Sequence, residues 1–225
     1  MTTPKRAKKS KRTVFIVDDH PMMRQGLAQL INNEPDLLAC GEAEGGQQAL
    51  NFFASNKPDL VLVDISLPDK HGLELIKDIQ ALHPGLPILV VSMHDESLYA
   101  ERVLRAGGRG FIMKQEGGKK MMEAIRTVLS GQIYVSEKMS AKILEIFSGR
   151  RSETNRSPIE KLTDREFEVF QMIGQGRGTR QIAEALHLSV KTVEVHRLHI
   201  KQKLELSDAP SLVRYAVRWV ETQQG

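Results

Sequence analysis

Between residues 13 and 130 five short, apolar, β-rich runs alternate with five stretches of helical periodicity, and few folds admit that alternation. The runs are residues 13–17, 37–42, 60–63, 87–91 and 110–113; the helical stretches lie near 22–33, 46–55, 73–82, 96–106 and 118–129. Leu60-Val61-Leu62-Val63 is apolar without interruption, the pattern of a central strand covered on both faces. Strands joined through helices build a doubly wound parallel sheet, so the expected fold class is α/β. Such a sheet collects its ligands at the carboxyl ends of its strands.

The polar residues of interest fall at those ends. Asp18 and Asp19 follow the first run, Asp64 the third, Ser92 the fourth and Lys114 the fifth. Singly, each has a plain structural explanation. An Asp after a strand caps a helix or forms a turn, and a Lys there is a solvated strand end. Jointly they converge on one place. Two carboxylates about 4 Å apart repel by roughly 4 kcal/mol at an effective dielectric of 20. Three such groups persist together around a hard divalent cation, and oxygen ligands point to Mg2+. With Lys114 as a fixed positive charge and Ser92 as a hydroxyl donor, the set suits phosphoryl transfer to a carboxylate. Asp59 and Asp69 are expected to serve the turns beside Pro58 and Pro68, and His20, His71 and His94 are not expected to form a metal set.

Val17-Asp18-Asp19-His20, Leu62-Val63-Asp64-Ile65-Ser66-Leu67-Pro68, Val91-Ser92-Met93-His94 and Gly110-Phe111-Ile112-Met113-Lys114 together resemble the signature of receiver domains, which have a flavodoxin-like fold. The resemblance implies phosphorylation of Asp64 by a sensor histidine kinase. It further implies Mg2+ held by Asp19, Asp64 and the Ser66 carbonyl, with Asp18 acting through bound water. Ser92 and Lys114 would contact the phosphoryl oxygens, and Phe111 would be the aromatic switch residue. Gln115 departs from the proline that many receivers carry after the lysine.

A helix near 137–147 and a polar, Gly- and Pro-containing stretch, residues 148–158, lead to a purely helical end. Thr163 with Glu166 reads as a capping box for a helix reaching about Gln175. Thr179 is expected to cap a short helix, residues 180–186, and Ser189 the next, residues 190–204, with the turn at His187-Leu188. Ser207 is expected to cap a last helix, residues 208–220. At 100° per residue Val193, Ile200 and Leu204 share one face, with His196 at its edge, whereas Lys191, Val195, Leu198 and Gln202 point away beside Glu194 and His199. An outward face with Val195 and Leu198, ringed by Lys191, Arg197, Lys201 and Lys203, suits contact with double-stranded DNA.

Leu162-Thr163-Asp164-Arg165-Glu166, Ile182-Ala183, Leu188-Ser189 and Lys191-Thr192-Val193-Glu194-Val195-His196 resemble the LuxR-type helix-turn-helix. With the receiver, this indicates the NarL/FixJ family of response regulators, phosphorylation-controlled transcription regulators. The implied DNA-binding residues are Lys191, Thr192, Glu194, Val195, Arg197, Leu198, Lys201 and Lys203. Leu212, Ala216 and Trp219 form a stripe that either pairs two copies on DNA as a homodimer or is core. The expected domains are a basic, disordered tail (1–12), a receiver (13–130), a helix and linker (131–158) and a helix-turn-helix domain (159–225).

Composition narrows the alternatives. Cys40 is the only cysteine, which excludes an internal disulfide and a cysteine metal cluster. No apolar run approaches a membrane span, and the basic start precedes too short an apolar run for a signal peptide, so a cytoplasmic, membrane-free protein is expected. The tail carries six Lys/Arg and no acid, while residues 13–147 carry a net −5. The receiver alone is therefore a poor binder of nucleic acid. An aspartyl-phosphate hydrolase would need an acid where Ser66 stands, so no enzyme is expected. The alternative is a phosphorylation-independent DNA-binding regulator whose receiver is a protein-interaction domain, and it leaves the acid–Ser–Lys set unexplained.

Overall fold

The structure, a computed structural model, describes residues 10–147, 158–186 and 188–224. Two compact units, Met1–Met139 and Ser140–Gly225, make up the chain. The linker residues 148–157 and His187 lie outside the described residues.

In the first unit strands and helices alternate: β1 (Arg12–Val17), α1 (Pro21–Asn32), β2 (Leu37–Ala43), α2 (Gly46–Phe53), β3 (Leu60–Val63), α3 (Gly72–Leu82), β4 (Ile88–Ser92), α4 (Glu96–Arg105), β5 (Gly110–Met113) and α5 (Gly118–Leu129). The strands form one parallel sheet in the order β2-β1-β3-β4-β5. From β1 the chain winds first to one side and then to the other. The crevice between the ends of β1 and β3 is thus the place where a ligand fits. Alternate strand residues Val14, Ile16, Leu60, Leu62, Leu89, Val91 and Ile112 pack with Leu27 and Ile31 of α1 and with Met121, Ile125 and Val128 of α5. Their neighbours Phe15, Val61, Val63, Val90 and Phe111 are equally buried, so both faces of the sheet are covered. Each such side chain contributes roughly 1.5–3 kcal/mol.

Two aspartates do more than their turns require. Asp59 accepts from Thr13 N–H and hydroxyl at 2.8 and 2.9 Å and from Arg12 at 2.8 Å, tying the start of β1 to the approach of β3. Arg12 therefore belongs to β1, and residues 1–9 of the expected tail lie outside the described residues. Asp69 accepts from the N–H groups of Gly46 and Gln47, both at 2.8 Å, and so caps α2 from a distant loop. Beyond α5 the chain runs along β5, where Phe111 N–H donates to Tyr134 O at 2.9 Å and Tyr134 N–H to Arg109 O at 3.0 Å. Ser136 N–H then meets Glu96 at 2.7 Å before α6 (Glu137–Phe147) begins.

The second unit has a 3-10 turn (Pro158–Lys161), α7 (Asp164–Gly174), α8 (Thr179–Ala185), α9 (Val190–Lys203) and α10 (Ala209–Gln224). Thr163 and Glu166 form the capping box at α7, and the Ser189 side chain caps α9. Two caps differ from expectation. Gly178 holds the N-cap of α8, with Gln181 reaching back to its N–H at 2.8 Å, and Thr179 is the first helical residue. Asp208, not Ser207, accepts from Ser211 N–H at 2.7 Å at the start of α10. Leu212 and Ala216 are fully buried, and the half-buried Trp219 packs edge-on against Phe167 and Phe170, so the α10 stripe packs into the core of this unit. At Gly174 an added Cβ would lie 2.5 Å from Ala216 O, which fixes how closely α7 and α10 approach.

Candidate functional site

β1 ends into Asp18 and Asp19, β3 into Asp64 and β5 into Lys114, because the sheet register aligns their last residues. Lys114 Nζ lies 2.7 Å from Asp18 Oδ2 and 2.7 Å from Asp64 Oδ2, and all three side chains are almost wholly buried. Burial pushes the Asp64 carboxyl above its ordinary pKa, and Lys114 only partly opposes it. Burial also works against the charge on Lys114, but the two acids outweigh it and raise its pKa. The close approach depends on Gly72 at the start of α3, where a Cβ would lie 2.4 Å from the Asp64 carbonyl oxygen.

Asp19 is half-exposed beside this pair. Ligand atoms of Asp18, Asp19, His20 and Asp64 all lie within 4.8 Å of one another. Among the described residues, Asp18 Oδ2 and Asp19 Oδ1 are closed off from water without a hydrogen bond of good geometry, and the Lys114 ammonium and the His20 ring meet them. Buried oxygens so poorly satisfied, in a set of hard donors, fit a divalent cation.

Ser92 is fully buried at the end of β4, and its Oγ accepts from His94 N–H at 3.2 Å. Phe111 is buried in β5. Ser66 is exposed, and its Oγ shares a 2.8 Å hydrogen bond with His94 Nε2. Burial above all, then the charges of His71 and Lys114, push His94 down to a pKa of about 4. Two residues of this neighbourhood escape a reading by strand ends. His20 enters the acid group, and His94 bonds to Ser66. The run Asp18-Asp19-His20 is the one sequence signal for the former.

On α9, Val193 and Ile200 are fully buried and Leu204 nearly so, while Val195 and Leu198 are 42% and 47% exposed. Lys191 and Glu194 are exposed beside them; Thr192, Arg197 and Lys201 are half-buried. Lys203 departs from its expected place among free cations, because its Nζ lies 2.6 Å from Glu166 Oε2. Glu166 is itself buried in α7, and burial would raise its pKa. The Lys203 ammonium and the Thr163 N–H outweigh burial and hold the carboxyl below its ordinary value.

The family model for the response regulator receiver domain matches residues 14–126, and that for bacterial regulatory proteins of the luxR family matches residues 160–216. "Oxygen regulatory protein NreC" of Staphylococcus carnosus (strain TM300) is 34% identical over 209 residues, covering 91% of this chain and 96% of that protein. A two-component response regulator of the LuxR family from Aurantimonas sp. SI85-9A1 superposes with a TM-score of 0.57 at 29% identity, covering 62% of this chain and 99% of that one. RcsB from Salmonella enterica serovar Typhimurium, bound to promoter rprA with the phosphomimetic BeF3−, shares the fold with a TM-score of 0.66 at 24% identity, covering 92% and 99%. The chain belongs to the NarL/FixJ response regulators, transcription regulators in which phosphorylation of a receiver controls DNA binding by a LuxR-type helix-turn-helix.

Proposed function

We propose that Asp64 accepts a phosphoryl group from a sensor histidine kinase in the cytoplasm, and that this controls sequence-specific binding of α9 to double-stranded DNA. The carrying observation is the buried contact of Lys114 with both Asp18 and Asp64 at the carboxyl end of the sheet. Lys114 holds Oδ2 of Asp64, which leaves Oδ1 to attack phosphorus. As that P–O bond forms, the P–N bond of the donor phosphohistidine breaks and its electron pair returns to the imidazole. Lys114 then meets charge on the transferred oxygens, the Ser92 hydroxyl turns to a second, and Phe111 repacks behind it. Mg2+ at Asp18, Asp19, Asp64 and the Ser66 carbonyl would supply the charge that lets three acids stay ionised together.

For DNA, Glu194, Val195 and Leu198 would face the bases, with Lys191, Thr192, Arg197 and Lys201 toward the phosphates. RcsB forms dimers on DNA; paired copies of this chain would likewise read a two-fold site. No helix of the described residues is long and apolar enough to cross a membrane. The test is incubation with acetyl phosphate and Mg2+, read by intact mass. One phosphoryl group is expected on the wild type and none on Asp64→Asn or on metal-stripped protein. Modification of Asp64→Asn at the wild-type level would falsify the assignment.

A further inference from the structure

The acid pocket holds a nitrogen donor that an all-oxygen magnesium site does not use. Nδ1 of His20 lies 2.6 Å from Asp19 Oδ1 and 3.3 Å from Asp18 Oδ1, and the His20 backbone N–H donates to Asp18 Oδ1 at 2.9 Å. The ring is 65% exposed while Asp18 is 2% exposed, so the pocket is graded from a wet rim to a dry floor. Lys114 occupies the floor against Asp18 and Asp64. A cation arriving from solvent therefore meets Asp19 and His20 first. Of the two buried oxygens without a hydrogen bond of good geometry, Asp19 Oδ1 is the one this ring faces, while Asp18 Oδ2 faces Lys114.

We infer that His20 is a metal ligand and makes the pocket a mixed oxygen–nitrogen site for borderline divalent ions such as Zn2+ and Ni2+. The inference rests on the metal-binding role proposed above for Asp18, Asp19 and Asp64. Mg2+ takes oxygen ligands and gives up its water reluctantly, so an imidazole adds little to its binding. Zn2+ and Ni2+ bond well to imidazole and stand higher in the order of divalent affinities. His20 thus acts as a discriminator: it strengthens binding of the second class of ion much more than that of the first.

The test uses the full chain with 15N-labelled histidine, stripped of metal. One equivalent of Zn2+ should shift the ring Nδ1 resonance of His20, assigned by its absence in His20→Gln. By calorimetry, His20→Gln should weaken Zn2+ binding at least about tenfold, a loss seen even for groups that merely support a ligand. Its Mg2+ affinity should fall by much less than its Zn2+ affinity. Zn2+ binding with the His20 ring signals unmoved would overturn the inference while leaving the carboxylate site intact. An equal loss for both metals in His20→Gln would overturn it as well. If neither Zn2+ nor Mg2+ bound the wild type, both the inference and the metal role beneath it would fall.

Discussion

The acid pocket and the outer face of α9 both gather charge, and they do so under opposite physical conditions. In the pocket, Asp18, Asp64 and Lys114 are withdrawn from water, so their charges act over a low dielectric and must be answered one by one. On α9, Lys191 and Glu194 stand in solvent, where a charge costs little and contributes little until a polyanion arrives. The first arrangement gives chemical selectivity at one atom; the second gives affinity spread along a strand of phosphates. The pocket should therefore be sensitive to geometry and pH, and the helix to salt.

The largest effect is expected from geometry. Gly72→Ala places a Cβ 2.4 Å from the Asp64 carbonyl oxygen and 2.7 Å from Ile65 Cα, contacts that only backbone movement relieves. Overpacking of this kind costs about 1–3 kcal/mol, and backbone contact puts this case at the upper end. Trp219, the only tryptophan, sits in the second unit and reports on it alone. In urea, circular dichroism should show an early transition that Trp219 fluorescence does not follow. Equal shifts in both signals would mean that the substitution does not act locally in the pocket.

A second effect separates the regions by pH. His94 has its pKa pushed down to about 4 by burial, against about 6.5 for an ordinary histidine. The folded receiver binds that proton more weakly than the unfolded chain. Its contribution is therefore complete above about pH 6.5 and lost as pH falls toward 4, by up to about 1.4 kcal/mol per pH unit. His94→Asn should flatten the stability profile of the first unit across that window and leave the Trp219 transition unchanged. Parallel profiles for wild type and variant would remove His94 from the account. Carboxylates also titrate near the lower end, but they do so in both proteins and cancel in the difference.

The strand-end residues were legible in the sequence because a parallel sheet puts every carboxyl end on one side. Knowing the strand boundaries near Val17, Val63 and Met113 is then enough to bring Asp18, Asp64 and Lys114 together. The wheel over α9 worked for a similar reason: Val193 and Ile200 against Val195 and Leu198 is a property of local periodicity. What escaped depends on contacts between distant segments. Asp69 caps a helix that begins 23 residues earlier in the chain, and no local pattern announces it. Lys203 looked like one cation among several until α7 placed the buried Glu166 beneath it. The stripe Leu212, Ala216 and Trp219 has the same periodicity whether a second chain or Phe167 and Phe170 cover it. His20 lies in the motif itself, but the direction of its ring follows from the start of α1 and not from residue order.

Lys191 and Lys203 give the smallest effect and the finest division between charge that binds and charge that builds. Lys191 is exposed at the start of α9, and Lys203 is held at 2.6 Å by Glu166 at the other end. An ammonium that neutralises a phosphate releases a counterion, and each such contact adds about 0.9 to the slope of log Kobs against log salt. Lys191→Ala should therefore lower that slope by about 0.9 and leave the thermal transition of Trp219 where it is. Lys203→Ala removes the partner of a buried carboxylate, so it should lower that transition and leave the slope nearly intact. Any duplex suffices for the measurement, because the phosphate contribution does not depend on sequence. If Lys203→Ala reduced the slope as much as Lys191→Ala with no loss of stability, the Glu166 pair would be incidental and both ends of α9 would serve the DNA alike.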